Sequence, residues 1–195
     1  MIAMSRAVRA VGLICLFALA AACQHGEAKV DRTPLPTVAA PPYICHLVPL
    51  KAVELMTGER DPLVSGYFNF DRPSGLGDGN CAVYQRNGDR MKVLQIILVP
   101  MGTEERVKDQ LRIGASPLPS IMPGAIGYYG KDPFSKHASA HATIARGTAL
   151  LIVRLDRGVE GRDNEADVVA LMKLIAPKLI TSAGTPAPTP SAGKG

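Results

Sequence analysis

The chain has no tryptophan, and aromatic residues make up only 5% of its 195 positions. A surface that stacks nucleobases needs aromatics interleaved with basic side chains. The bases that do gather, Arg86, Arg90 and Lys92 in one place and Arg154, Arg157 and Arg162 in another, flank turns and carry no such interleaving. The formal net charge of +5 includes Arg6 and Arg9, and without these two it is too mild to call for a polyanionic partner. Nucleic acid is therefore excluded as the expected partner.

Catalytic signatures are missing as well. There is no Gly-x-Ser-x-Gly and no His-Glu-x-x-His, and Gly75, Gly77 and Gly79 miss the spacing of a dinucleotide loop. The serines have no recognisable base beside them in sequence. No catalytic residue and no cofactor is expected. The N-terminal apolar run, Ala10 to Ala22, has 13 residues, short of the roughly 20 that a spanning helix needs. It has the length of a signal core.

Arg6 and Arg9 supply the positive start of such a signal, and Ala20-Ala21-Ala22-Cys23 closes it. A small-residue box followed at once by cysteine resembles the end of a bacterial lipoprotein signal, in which the thiol takes a diacylglycerol. A plain secretory signal cut after Ala22 would instead leave a free thiol at Cys23. Parity favours the lipid: Cys15 departs with the signal, and Cys23, Cys45 and Cys81 are one too many for internal pairing. With Cys23 acylated, Cys45 and Cys81 can form one disulfide in an oxidising compartment. Two acyl chains anchor a protein stably where one does not. The expected address is the extracytoplasmic face of the cell membrane.

Residues 24–42 lack apolar periodicity, and Pro34, Pro36, Pro41 and Pro42 deny them a helix or a central strand. The expected layout is a signal over 1–22, lipidated Cys23 with a flexible spacer to 42, one domain over 43–180 and a disordered tail over 181–195. Within the domain, Pro49 to Gly58 reads as a helix, with Leu50, Val53 and Met56 on one face. Residues 63–70 and 81–86 have strand composition, and Asn87-Gly88 joins the latter to a strand over 91–99, apolar enough at Leu94 to Val99 to be buried on both faces. Thr103 can cap a second helix carrying Val107 and Leu111. Residues 125–130 form a short strand, and 141–147 with 149–156 a hairpin. A last helix starts near Asp163 or Asn164, and Pro177 should kink or end its final turn. The order α-β-β-β-α-β-β-β-α implies an α+β fold, an antiparallel sheet covered by helices, with one disulfide tying the first helix to the sheet.

A cysteine opening a short helix in YICHLVPLKAVELMTG, a second in GDGNCAVY, a following hydrophobic strand and a terminal helix after GRDNEADVVALMKLI resemble the actinobacterial lipoproteins grouped as a domain of unknown function. The resemblance covers about residues 43–180 and implies an envelope lipoprotein, with no catalytic residues to carry over.

Three groups of residues remain as candidates for chemistry. His137 and His141 are four apart, a spacing that puts both imidazoles on one face and makes two zinc ligands conceivable, without a third ligand or general base nearby. An exported hydrolase or metal-dependent enzyme using this pair is the alternative to a binding domain. Asp156, Glu160, Gly161 and Asp167 fall at positions of a calcium loop, but Gly158 at the third position and two arginines oppose a cation, so a turn before a capped helix explains them better. Tyr128-Tyr129, with the neighbouring PLPSIMPG loop, is the best ligand candidate; adjacent tyrosines in a strand point to opposite faces, one to the core and one outward. The partner expected beyond the membrane itself is an envelope ligand or protein.

Overall fold

The computed structural model describes residues 30–71, 76–132 and 134–180. The signal segment, the lipidation expected at Cys23 and the tail 181–195 lie outside the described residues. Among the described residues no helix is long and apolar enough to cross a membrane.

A small antiparallel ribbon, β1 (Tyr43–Ile44) with β2 (Val48–Pro49), leads directly into α1 (Leu50–Thr57). The main sheet then forms from two meanders. In the first, β3 (Leu63–Ser65) and β4 (Phe68–Asn69) both pair with β5 (Asp78–Tyr84), which pairs with β6 (Lys92–Val99). After α2 (Glu104–Arg112), the second meander runs β7 (Ser116–Pro117), β8 (Ile126–Gly130), β9 (Ala140–Arg146), β10 (Ala149–Leu155), and α3 (Asn164–Leu179) ends the domain. The two meanders join through their last strands, β6 against β10, with Leu150 opposite Val99 and Leu155 opposite Leu94. Every pairing is antiparallel, and the strand order is β3-β5-β6-β10-β9-β8-β7. The fold is the expected α+β arrangement, with β3 and β4 in the place of one strand and with β7 and the ribbon added.

One face of the sheet carries the main core. Leu94, Ile96 and Leu98 on β6, Ala142 and Ile144 on β9 and Leu151, Val153 and Leu155 on β10 are buried there against Val53 and Met56 of α1 and Leu171, Met172 and Ile175 of α3. The opposite face is thinner. Only Val107, Ala145 and Leu150 are buried in its cluster, and Val99, Leu111, Ile126, Tyr128 and Ile152 are partly exposed around them. Burial of β6 on both faces, expected from its continuous apolarity, is thus realised on one face alone: Gln95, Ile97 and Val99 stay half-buried.

Several local departures have physical causes. The strand expected over 63–70 breaks because Gly66 lies against β5 so closely that a Cβ would stand 2.2 Å from the Asn80 carbonyl oxygen. The hairpin at Asn87-Gly88 is wider than a two-residue turn: Gln85 N–H donates to Met91 O at 3.0 Å, and both Gly88 and Arg90 adopt positive φ, 66° and 49°. Thr103 occupies the cap of α2 without a side-chain capping bond; Glu104 instead accepts from Gly147 N–H at 3.0 Å, holding the start of α2 to the β9–β10 turn. Asp163 does cap α3, accepting from Ala166 N–H at 3.0 Å. Pro177 falls in the last turn of α3, where its missing N–H costs one bond, and the helix closes at Ile180.

Cys45 and Cys81 are bonded, with Cα atoms 5.9 Å apart. Cys45 lies in the turn of the ribbon and Cys81 is fully buried in β5, so the bond ties the entry to α1 to the first meander.

The larger correction concerns the spacer. From Val30 onward it is laid along the domain: Leu35 is 6% exposed in the main core, and Ala39 packs against it. The fastening point is Arg162, whose guanidinium donates to the carbonyls of Asp31 and Thr33 (3.0 Å to the latter) and to both carboxylate oxygens of Asp167 at 2.8 Å. The two side chains of this ion pair are 3% and 7% exposed. At its other end the segment meets the C-terminal turn of α3, where the Lys178 ammonium sits 5.1 Å from the Tyr43 ring centre. A strap, bound by its backbone and by Leu35, stands where a free linker was expected.

Candidate functional site

α2 has 9 residues and β9 and β10 have 7 each, which gives a helix of about 14 Å over strands of about 23 Å. The helix starts at the β9–β10 turn and packs on Ala145 and Leu150, so it leaves the other half of this face bare. The bare half is a cleft of about 430 Å³, within the range of small-ligand sites. Its floor is Tyr128 of β8, His141 and Thr143 of β9 and Ile152 and Arg154 of β10. Arg106 of α2 stands on one wall, and Asp132 and Phe134 of the β8–β9 connection form the rim.

Strand pairing explains the centre of the floor. Tyr128 lies opposite Thr143, and Gly130 opposite His141, so Tyr128 and His141 are diagonal neighbours on the same face. Their rings meet edge to face, with centroids 5.8 Å apart and an interplanar angle of 73°. Burial pushes the His141 pKa below its ordinary value of 6.5, against the opposing pull of Asp132. The folded domain therefore prefers the neutral imidazole, while the unfolded chain takes up a proton first as pH falls. This contribution to stability is complete above pH 6.5 and is lost as pH drops through the lower, folded pKa. We expect the urea midpoint to fall between about pH 7.5 and about pH 5 and to fall less in His141→Gln; equal slopes in the two proteins would contradict the assignment.

Charge in the cleft is partly neutralised. Arg154 is within 3.3 Å of Asp156, whereas among the described residues Arg106 has no carboxylate partner. The site thus combines a largely apolar lining with one guanidinium, Arg106 on the α2 wall, and one carboxylate, Asp132 on the rim, neither of them ion-paired among the described residues, an arrangement suited to a small amphipathic ligand whose anionic end lies against α2.

Of the expected site residues, Tyr128 lies in this cleft. Tyr129 turns to the other face and packs against the main core, as the alternation of a strand requires. The PLPSIMPG loop follows Tyr129 rather than Tyr128: Leu118, Ile121 and Met122 pack on the core face, and Leu118 N–H donates to Gly127 O at 2.9 Å. The loop is therefore structural and does not line the cleft. His137 and His141 part company: His137 is exposed in the approach to β9 and lines a separate polar hollow, and the two do not share a wall. Among the described residues no group of three His, Cys, Asp or Glu is placed to hold a metal ion. Two carboxylates of the calcium-like segment are engaged by protein cations, Asp156 by Lys92 at 3.6 Å and Asp167 by Arg162. Arg106, Thr143, Ile152 and Arg154 carried no sequence signal as a group; the pairing register of β9 and β10 and the seat of α2 on the sheet bring them together.

No family model matches the chain, and no curated protein matches it. The cleft must be interpreted from its own chemistry.

Proposed function

We propose that this chain is a lipoprotein of the bacterial envelope, anchored through Cys23 at the extracytoplasmic face of the cell membrane, whose domain binds a small ligand without catalysis. The cleft left bare by α2 carries this proposal. Its size, its largely apolar lining and Arg106, unpaired among the described residues, fit an amphipathic molecule with an anionic group. The lipobox-like AAAC end, the bonded Cys45 and Cys81 and the resemblance to actinobacterial envelope lipoproteins support the location.

Two measurements test the two parts. Detergent partitioning followed by intact mass should find a detergent-phase species beginning at Cys23 and heavier by a diacylglyceryl group; an unmodified aqueous species would overturn the anchor. For the cleft, 8-anilinonaphthalene-1-sulfonate is a probe of the right chemistry. Arg106→Glu, on an exposed helical position, should weaken its binding roughly tenfold by replacing attraction with repulsion. Unchanged binding would remove the cleft as the site.

A further inference from the structure

The strap, the β8–β9 connection and the start of α3 meet at one end of the domain. Val30 packs against Gly161, where a Cβ would stand 3.4 Å from its side chain. Gly161 to Glu165 in turn share a polar hollow with Lys131, Ser135 and His137. The strand directions agree: β8 and β10 finish at this end and β9 begins there. The chain therefore leaves the domain toward Cys23 beside the connection that carries Phe134.

Phe134 is 92% exposed, more than any other large apolar side chain among the described residues. Its backbone N–H donates to the Asp132 carboxylate at 3.0 Å, which fixes a turn at the rim of the cleft. Seven residue steps separate Val30 from Cys23, a reach of at most about 25 Å. So short a tether keeps this end next to whatever holds Cys23, at an effective concentration of about millimolar.

We propose that this end of the domain rests on the lipid bilayer, with Phe134 in the boundary between headgroups and acyl chains and the mouth of the cleft facing the membrane. The proposal rests on the anchored reading of Cys23. Ionic attraction contributes little: Lys131, Lys92 and Arg162 are matched by Glu165, Asp156 and Asp167, and Lys136 and Arg157, which have no ion pair among the described residues, are offset by the acidic Asp132, Glu160 and Asp163 at the same end. The contact is apolar, driven by a ring that water otherwise surrounds, and it makes the cleft accessible to molecules drawn from the membrane.

The absence of tryptophan makes the test direct. Phe134→Trp and Met101→Trp each place one reporter on an exposed site; Met101 is 86% exposed and follows β6 at the opposite end of the sheet. The full, lipidated chains are reconstituted in phosphatidylcholine vesicles with and without brominated acyl chains, and their intact mass is read first. With the lipid present, the indole emission of the Phe134→Trp protein should be quenched by roughly twofold and that of the Met101→Trp protein left unchanged. That quenching should persist in high salt. Anchored protein in which the reporter at position 134 is unquenched, or in which both reporters respond alike, overturns the orientation while leaving the anchor intact. A mass without diacylglycerol overturns the anchor and the orientation with it.

Discussion

The double variant Cys45→Ala, Cys81→Ala should lose about 4 kcal/mol of stability, because the bond closes a loop across a sequence separation of 36 residues. Two features of the structure decide where the loss appears. Cys45 and His46 both have positive φ, 45° and 69°, a conformation that costs non-glycine residues about 1–2 kcal/mol each. The bond helps to hold that turn in place. Cys81, moreover, is wholly buried in the main core beside α1 and α3, so the freed ribbon can detach from a strand that stays in place. For a domain of this size the loss corresponds to a fall in Tm of about 10 °C. Guanidinium unfolding of oxidised, reduced and double-alanine protein checks it, and a shift under about 1 kcal/mol would mean that packing alone closes the loop.

The second large effect belongs to Arg162. In Arg162→Met the Asp167 carboxylate, 7% exposed in the folded domain, is left with its partner gone, which should cost about 3–5 kcal/mol. The Asp167 hydrogen bonds hold the Arg162 pKa above its ordinary value even though burial opposes it, so the guanidinium keeps its charge throughout the accessible pH range. Replacing both residues, Arg162→Met with Asp167→Leu, removes the stranded charge and should restore most of the stability. It cannot restore the bonds to the carbonyls of Asp31 and Thr33. Amide exchange in residues 30–36 should therefore stay fast in the double variant although the domain is again stable. If strap and domain recover together, Leu35 and its neighbours hold the strap without the arginine.

These two cases show what could be seen from sequence. The disulfide was legible because cysteines are few and their parity constrains the pairing. The start of α3 near Asp163 and the hairpin over β9 and β10 were legible because capping and alternation leave a pattern in residue type. The strap left none. It is bound through main-chain carbonyls, which every residue possesses, and a proline-bearing stretch without periodicity looks the same whether it is free or fastened. Tyr128 and Tyr129 could be separated only as a pair pointing opposite ways, since nothing in the sequence says which face α2 leaves open. That depends on a helix too short for the strands beneath it.

The union of β6 with β10 at the centre of the sheet has a consequence for how the chain acquires its structure. The paired residues of β6 and β10 are 51 (Val99 and Leu150) to 61 (Leu94 and Leu155) positions apart, so the middle of the sheet is its most non-local pairing. Loop closure of this kind slows folding. Until Leu155 has emerged, the first meander ends in KVLQIILV with one edge bare, an apolar and strongly β-forming segment of the kind that recruits other chains. The safe order of events is for β10 to arrive before β6 finds a substitute, which makes the later strand the guard of the first meander.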